Sequence, residues 1–271
     1  MQDKLSVLPE YAFPRLRELL KGIPTKKNSI EMHIGEPKHP ITKKFFISLT
    51  NDIEKFGSYP PNEGILQLRT AISEWLKKRY KINNIDPDKN VLILNGSREG
   101  LFNSALALNP KHKNKKKPYI LMPNPFYQCY LVASILSESK PIMINTSKET
   151  NYLPDLDKIS RKILQQTSLF FICSPTNPQG GIATKEWWRK ILLLAEEYNF
   201  IVLADECYSE IYYDKVPPGA LEIANEIKMD YNRIVIFNSL SKRSNLPGLR
   251  SGFLVSGERN IAKIKKLKSY S

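Results

Sequence analysis

A chain of 271 residues with 41% hydrophobic and 10% aromatic residues can build a substantial core, as one large domain or two smaller ones, which excludes a disordered chain. The formal net charge of +14 leaves two partner classes open, a nucleic acid or anionic small molecules drawn to a lysine-rich surface. The first thirty residues lack the apolar stretch of a signal peptide and no run approaches the ~20 residues that span a bilayer, so a cytoplasmic protein is expected.

In chain order, the first feature is a Pro-containing arm with one short helix, "FPRLRELL" (13–20). In "GILQLRTAISEWLKKRY" (64–80), Ile65, Leu68, Ile72 and Trp75 fall at helical spacing, so they are expected to form the core-facing stripe of a helix. Seven short apolar runs follow, at 91–94, 119–122, 141–144, 169–173, 201–204, 234–237 and 252–256. Most lack polar alternation, as strands covered on both faces do. The basic run "KHKNKKK" (111–117) has no interleaved aromatics and reads as a solvated loop between a helix and a strand. A second helical stripe, Trp188, Ile191, Leu192, Ala195 and Tyr198, lies in "KEWWRKILLLAEEYNF" (185–200). The chain closes on an amphipathic helix with Ile261, Ile264 and Leu267 on one face. Strands alternating with helices imply an α/β three-layer sandwich around a seven-stranded, mostly parallel sheet. The cysteines Cys129, Cys173 and Cys207 are odd in number and widely spaced, and His33, His39 and His112 lack helical ligand spacing, so neither disulfides nor a metal site is expected.

The polar signals gather at strand ends, where doubly wound sheets bind their ligands. "VLILNGSREGLF" reads as strand, glycine turn and helix, which puts Ser97 and Arg98 at a helix N-terminus suited either to a phosphate or to a plain N-cap. Asp205 in "DECY" and Asn177 in "SPTNPQGG" each follow a strand; alone, either could be a turn residue. Lys242 comes directly off the run "RIVIFN", where a lysine partly withdrawn from water becomes a nucleophilic amine able to form a Schiff base. A lysine, an anion cradle and a carboxylate for a ring nitrogen are the parts a pyridoxal 5'-phosphate site requires.

Taken in order, "IGEP", "NGSREGLF", "SPTNPQGG", "ADECYSEIY" and "SLSKRSNLPGLRSGF" resemble the fold-type-I aminotransferases of classes I and II, from Ile34 to Phe253. "IGEPKHP", "PNPFYQ", "DECYSEIY" and "LSKRSNLPGLRSGF" further resemble the N-succinyldiaminopimelate aminotransferases of bacterial lysine biosynthesis. The resemblance implies that Lys242 forms the Schiff base with pyridoxal phosphate and moves the Cα proton. It implies that Asp205 pairs with the pyridine nitrogen, that Tyr208 and Asn177 hydrogen-bond the ring's 3'-oxygen, and that Tyr127 stacks on the ring. Ser97 and Arg98, with Ser239 and Arg250, would hold the phosphate. Tyr59 would reach the phosphate of a neighbouring subunit in a homodimer with shared sites, and Gly35 would sit by the substrate carboxylate. Glutamate/2-oxoglutarate is the implied amino pair, with N-succinyl-2-amino-6-oxopimelate as acceptor.

The family pattern also implies a domain division: residues 1–33 as an N-terminal arm and part of a small domain, and 34–271 as the cofactor-binding large domain. Gln179 stands where the family has Thr. The C-terminal segment carrying the arginine for the substrate α-carboxylate is not among the residues after Lys242, so a truncated molecule of poor activity on its own is expected. Two other readings compete. One is a C–S β-lyase on the same scaffold, which would release pyruvate without a keto acid. The other is an aminotransferase-like effector module of a transcription factor, for which residues 1–33 lack a winged-helix pattern.

Overall fold

The computed structural model describes residues 5–24, 28–30 and 32–271; part of the expected N-terminal arm, residues 1–4, 25–27 and 31, lies outside them. Two helices, α1 (Ala12–Leu20) and α2 (Lys43–Asn51), bury no residue. Helix α3 (Leu66–Tyr80) opens the packed body. After it, strands β1 (Val91–Leu94), β2 (Tyr119–Asn124), β3 (Lys140–Asn145), β4 (Thr167–Cys173), β5 (Ile201–Asp205), β6 (Ile234–Ser239) and β7 (Gly252–Ser256) form one sheet, in the order β1-β7-β6-β5-β4-β2-β3. Only β7 runs against its neighbours; β2 through β6 pair in parallel. The expected seven-stranded, mostly parallel sheet is thus present, and its central strands β4 and β6 are buried along their whole length.

Helices cover both faces, giving three layers. Helices α4 (Ser97–Leu108), α5 (Gln128–Leu136) and α10 (Glu258–Lys268) pack over one face, where Leu101, Tyr130 and Ile264 meet Leu203 and Phe237. Over the other lie α3, α6 (Arg161–Gln166), α7 (Lys185–Tyr198) and α8 (Ala220–Glu226), around Trp188, Ile191 and Phe170. The α7 stripe is as expected: Trp188, Ile191, Leu192 and Ala195 are buried. One turn of helix, α9 (Leu240–Arg243), links β6 towards β7.

One expectation fails and another needs amending at a single residue. The buried face of α3 is Arg69, Ile72, Leu76 and Tyr80, while Ile65 and Leu68 are exposed. The helix face is rotated because Arg69 is taken inside by polar partners. Its guanidinium donates to Asp88 at 2.6 Å, to the Pro87 carbonyl at 2.8 Å and to the Gly64 carbonyl at 3.1 Å. The basic run is likewise not uniformly solvated. Lys113 folds back, and its ammonium donates to the carbonyls of Thr167, Tyr198 (2.7 Å) and Asn199 (2.9 Å), capping the end of α7. Replacing Lys113 with methionine should therefore lower unfolding stability by about 1–3 kcal/mol, the range for losing hydrogen bonds from a charged group. Urea denaturation checks this, and an unchanged midpoint would show the run to be a plain surface loop.

Candidate active site

The register of the parallel strands aligns their carboxyl ends: Cys173 at the end of β4 pairs with Asp205 at the end of β5, which pairs with Phe237 of β6. Strand β7 runs the other way, so it begins where the others finish. Its first residue, Gly252, lies between Leu94 of β1 and Ser239 of β6. This antiparallel insertion brings Arg250, eight residues after Lys242, to the same edge as Lys242 and the more distant Asp205.

At the β1 end, Gly96 takes φ 89°, and α4 starts at Ser97 with its first-turn N–H groups free of intrahelical partners. A side chain at Gly96 would put its Cβ 2.4 Å from the Arg250 guanidinium, and one at Gly252 would lie 2.8 Å from the Asn238 carbonyl and 3.0 Å from the Ser97 nitrogen. Gly252 lets three backbone segments converge this closely, and Gly96 supplies the positive φ that turns the chain into α4. Arg250 donates to the carbonyls of Asn95 (3.3 Å) and Pro247 (3.1 Å) and is exposed. Ser239 is buried and caps α9, its Oγ accepting from the Ser241 N–H at 3.0 Å and lying 2.9 Å from the Ser241 Oγ. The edge therefore gathers hydroxyls, a guanidinium and the start of a helix, a donor set that suits a phosphate dianion.

Asp205 is buried, and its carboxylate accepts from the Tyr130 hydroxyl at 2.8 Å and from the Cys207 N–H at 3.3 Å. Burial pushes its carboxyl above the usual aspartate range, with those hydrogen bonds opposing. A buried carboxylate held this way is matched to a cationic partner. Tyr130 is in turn fixed by stacking on Phe171, ring centroids 4.5 Å apart and planes 8° off parallel. Tyr127 packs edge-on against Tyr130, and its hydroxyl accepts from Arg98 Nε at 2.5 Å. The side chain of Arg98 is thus spoken for by Tyr127, while its backbone stays in the first turn of α4. Burial raises the Tyr127 phenol to about 12 and moves Tyr208 upward too.

Lys242, on α9, donates to the Gly35 carbonyl, joining two sequence-predicted residues that lie 207 positions apart. Burial lowers its ammonium's pKa, opposed by Cys207 and Glu36. Gly35, Asn177 and Tyr208 share the wall of one cleft of about 720 Å³. Tyr59 is not brought to this group: its side chain is fully exposed.

Three residues that the motifs did not single out belong to the assembly. Tyr130 lies in the first turn of α5, three positions after Tyr127, the extended residue that precedes the helix. Cys207 donates to the Ser97 hydroxyl at 3.0 Å, and Ser241 meets Ser239; both are one or two positions from a predicted residue, with no pattern of their own. All three cysteines are free and buried. Among the described residues, no helix is long and apolar enough to cross a membrane.

A sequence model described as "Aminotransferase class I and II" matches residues 27–270. An LL-diaminopimelate aminotransferase of Aquifex aeolicus is 31% identical over 98% of this chain and 67% of its own length. The crystal structure of an aminotransferase from Neisseria meningitidis superposes with a TM-score of 0.91 at 37% identity, covering 100% of this chain and 69% of the other. That of the aminotransferase AspB from Helicobacter pylori gives 0.88 at 35%, over 97% and 68%. The chain spans about two thirds of the length of these relatives. Sequence, fold and strand-end geometry agree, and the chain belongs to the class I and II aminotransferases, a family that depends on pyridoxal phosphate.

Proposed function

We propose that this chain holds pyridoxal phosphate at the carboxyl edge of its sheet and transfers an amino group between glutamate/2-oxoglutarate and a diaminopimelate-type amino acid. The observation that supports the reading is that one edge of the sheet carries Lys242 just after β6, buried Asp205 at the end of β5 and the Gly96–Ser97–Arg250 cradle beside the end of β1. The cradle's donors and its side-chain-free floor fit a phosphate, and the buried carboxylate fits a protonated ring nitrogen. When bound, pyridoxal phosphate supplies the electron sink that lets a Cα–H bond of an amino acid break.

In this reading Ser97, Ser239 and Arg250, with the Ser97 and Arg98 N–H groups, orient the phosphate. Asp205, aimed by Tyr130 and the Cys207 N–H, holds the ring-nitrogen proton in place. Asn177 and Tyr208 would hydrogen-bond the ring oxygen, and Tyr127 would cover the ring. Lys242 would take the proton from the substrate Cα, and its lowered pKa supplies more of the neutral amine that this requires. Gly35 leaves room for the substrate carboxylate, and exposed Tyr59 serves the site of a second subunit.

For the amino substrate, the Aquifex relative's name supports LL-diaminopimelate itself in place of the N-succinyl form. The test is glutamate formation from 2-oxoglutarate by the purified protein, with LL-diaminopimelate and its N-succinyl derivative as donors. The unmodified compound is expected to give the higher kcat/KM. Preference for the N-succinyl form would reverse the substrate assignment, and pyruvate release without a keto acid would replace transamination by a lyase reaction.

A further inference from the structure

Glu206 stands beside Asp205 and is buried even more completely, at 1% exposure, yet none of the roles above uses it. A carboxylate out of water needs donors. The Tyr80 hydroxyl, at the end of α3, donates to its Oε2 at 3.2 Å, and the Ala220 N–H, at the start of α8, donates to its Oε1 at 2.7 Å. Its own N–H donates to the Phe237 carbonyl in β6 at 2.9 Å. Arg79 adds parallel ties, donating to Glu210 at 2.9 Å and to the Pro217 carbonyl at 2.9 Å, with its guanidinium 4.5 Å from the centre of the Tyr80 ring. Gly219 permits the approach of Tyr80: a Cβ there would stand 2.6 Å from its ring carbons. The strap of residues 206–219, which carries Tyr208 and walls the cleft with Ile211 and Tyr212, is therefore fastened at both ends. Glu206 is the fastening next to Asp205.

We propose that Glu206 is a positioning residue of the cofactor site, its buried carboxylate gripping Tyr80 and the start of α8 so that Asp205 and Tyr208 keep their aim. This rests on the cofactor reading above. The ionisable groups facing Glu206 are Arg79 and Tyr80 from α3 and Glu222 from α8 (paired with Lys185 at 2.7 Å), and Glu210 of the strap is tied to Arg79. Burial pushes its carboxyl up to about 7, against the pull of the Ala220 N–H, Tyr80 and Arg79. Protonation removes an acceptor from this pair of donors, so the grip should loosen as pH falls through that value. Stability moves the opposite way. The folded carboxyl holds its proton more tightly than the unfolded one, so its contribution is lost as pH rises from 4.5 towards about 7.

The experiment is a pyridoxal phosphate titration of wild type, Glu206→Gln and Glu206→Ala across pH 5–9, with a melting curve at each pH. Gln reproduces the neutral form, accepting from Ala220 and donating to Tyr80. The wild-type Kd is expected to rise as pH falls through about 7, while that of Glu206→Gln stays flat across this step. Glu206→Ala should weaken binding about tenfold at pH 8, the loss of a charge-assisted hydrogen bond. Should it not fold, Tyr80→Phe, which removes one donor, is expected to weaken binding severalfold and reduce the pH step. Variants that melt lower but bind pyridoxal phosphate with the wild-type Kd and pH profile would make Glu206 merely structural and overturn the proposal. No binding by wild type would overturn the cofactor reading and this proposal together.

Discussion

Replacing Lys242 with alanine is expected to lower transamination by about four orders of magnitude, the upper range for losing a positioned acid–base group that is also the nucleophile. The side chain sits on a single helical turn directly after β6, held there by the Ser239 cap, and reaches across to the Gly35 carbonyl. No other amine is placed on that turn: its neighbours are Leu240, Ser241 and Arg243, and a guanidinium does not give up its proton. Binding should suffer far less than turnover, because the cradle of Ser97, Ser239 and Arg250 is untouched. The two are separated by measuring kcat and, independently, the cofactor retained after borohydride reduction and denaturation. Wild type should retain it covalently; Lys242→Ala should bind it yet release it on denaturation. Turnover within tenfold of wild type, or covalent retention by the variant, would move the nucleophile to another residue.

The sheet was legible because its strands are covered on both faces and therefore read as unbroken apolar runs, as in "LFFIC" and "IVIF". Strand-end placement of Asp205 and Lys242 could be read for the same reason, since a polar residue after such a run has nowhere to go but the edge. The α3 stripe misled because periodicity scores hydrophobicity, and the buried face of α3 contains an arginine paid for by three polar partners. Within a run that is otherwise the exposed loop expected, Lys113 carried no sign that it caps a helix end 85 positions away. The convergence of Arg250 on Gly96 depends on β7 being inserted antiparallel between β1 and β6, a matter of topology that no local pattern encodes. Tyr130 was within reach as a near neighbour of Tyr127. Glu206 was not, because next to Asp205 it reads as one of two adjacent carboxylates and only the approach of α3 and α8 distinguishes them.

Asp205→Asn separates the charge of the strand-end carboxylate from its shape. The amide keeps the volume and can still accept from the Cys207 N–H, but it cannot balance a protonated ring nitrogen. Breaking a buried ion pair costs about 3–5 kcal/mol, so a loss of roughly 10²–10⁴-fold in kcat is expected. The cofactor-free protein should respond in the opposite sense. Burial raises the Asp205 carboxyl above its ordinary 3.8, so the folded state binds this proton more tightly than the unfolded state. By linkage its contribution to stability is present at low pH and is lost as pH rises from 3.8 through the raised value. Asn carries no such charge, so at neutral pH Asp205→Asn should melt no lower than wild type without cofactor. With pyridoxal phosphate added, wild type should gain more in melting temperature than the variant, since only its carboxylate acquires a cationic partner. A variant that loses less than tenfold in kcat, with an equal cofactor-induced rise in melting temperature, would mean that Asp205 is buried for packing and that the ring nitrogen finds its partner elsewhere.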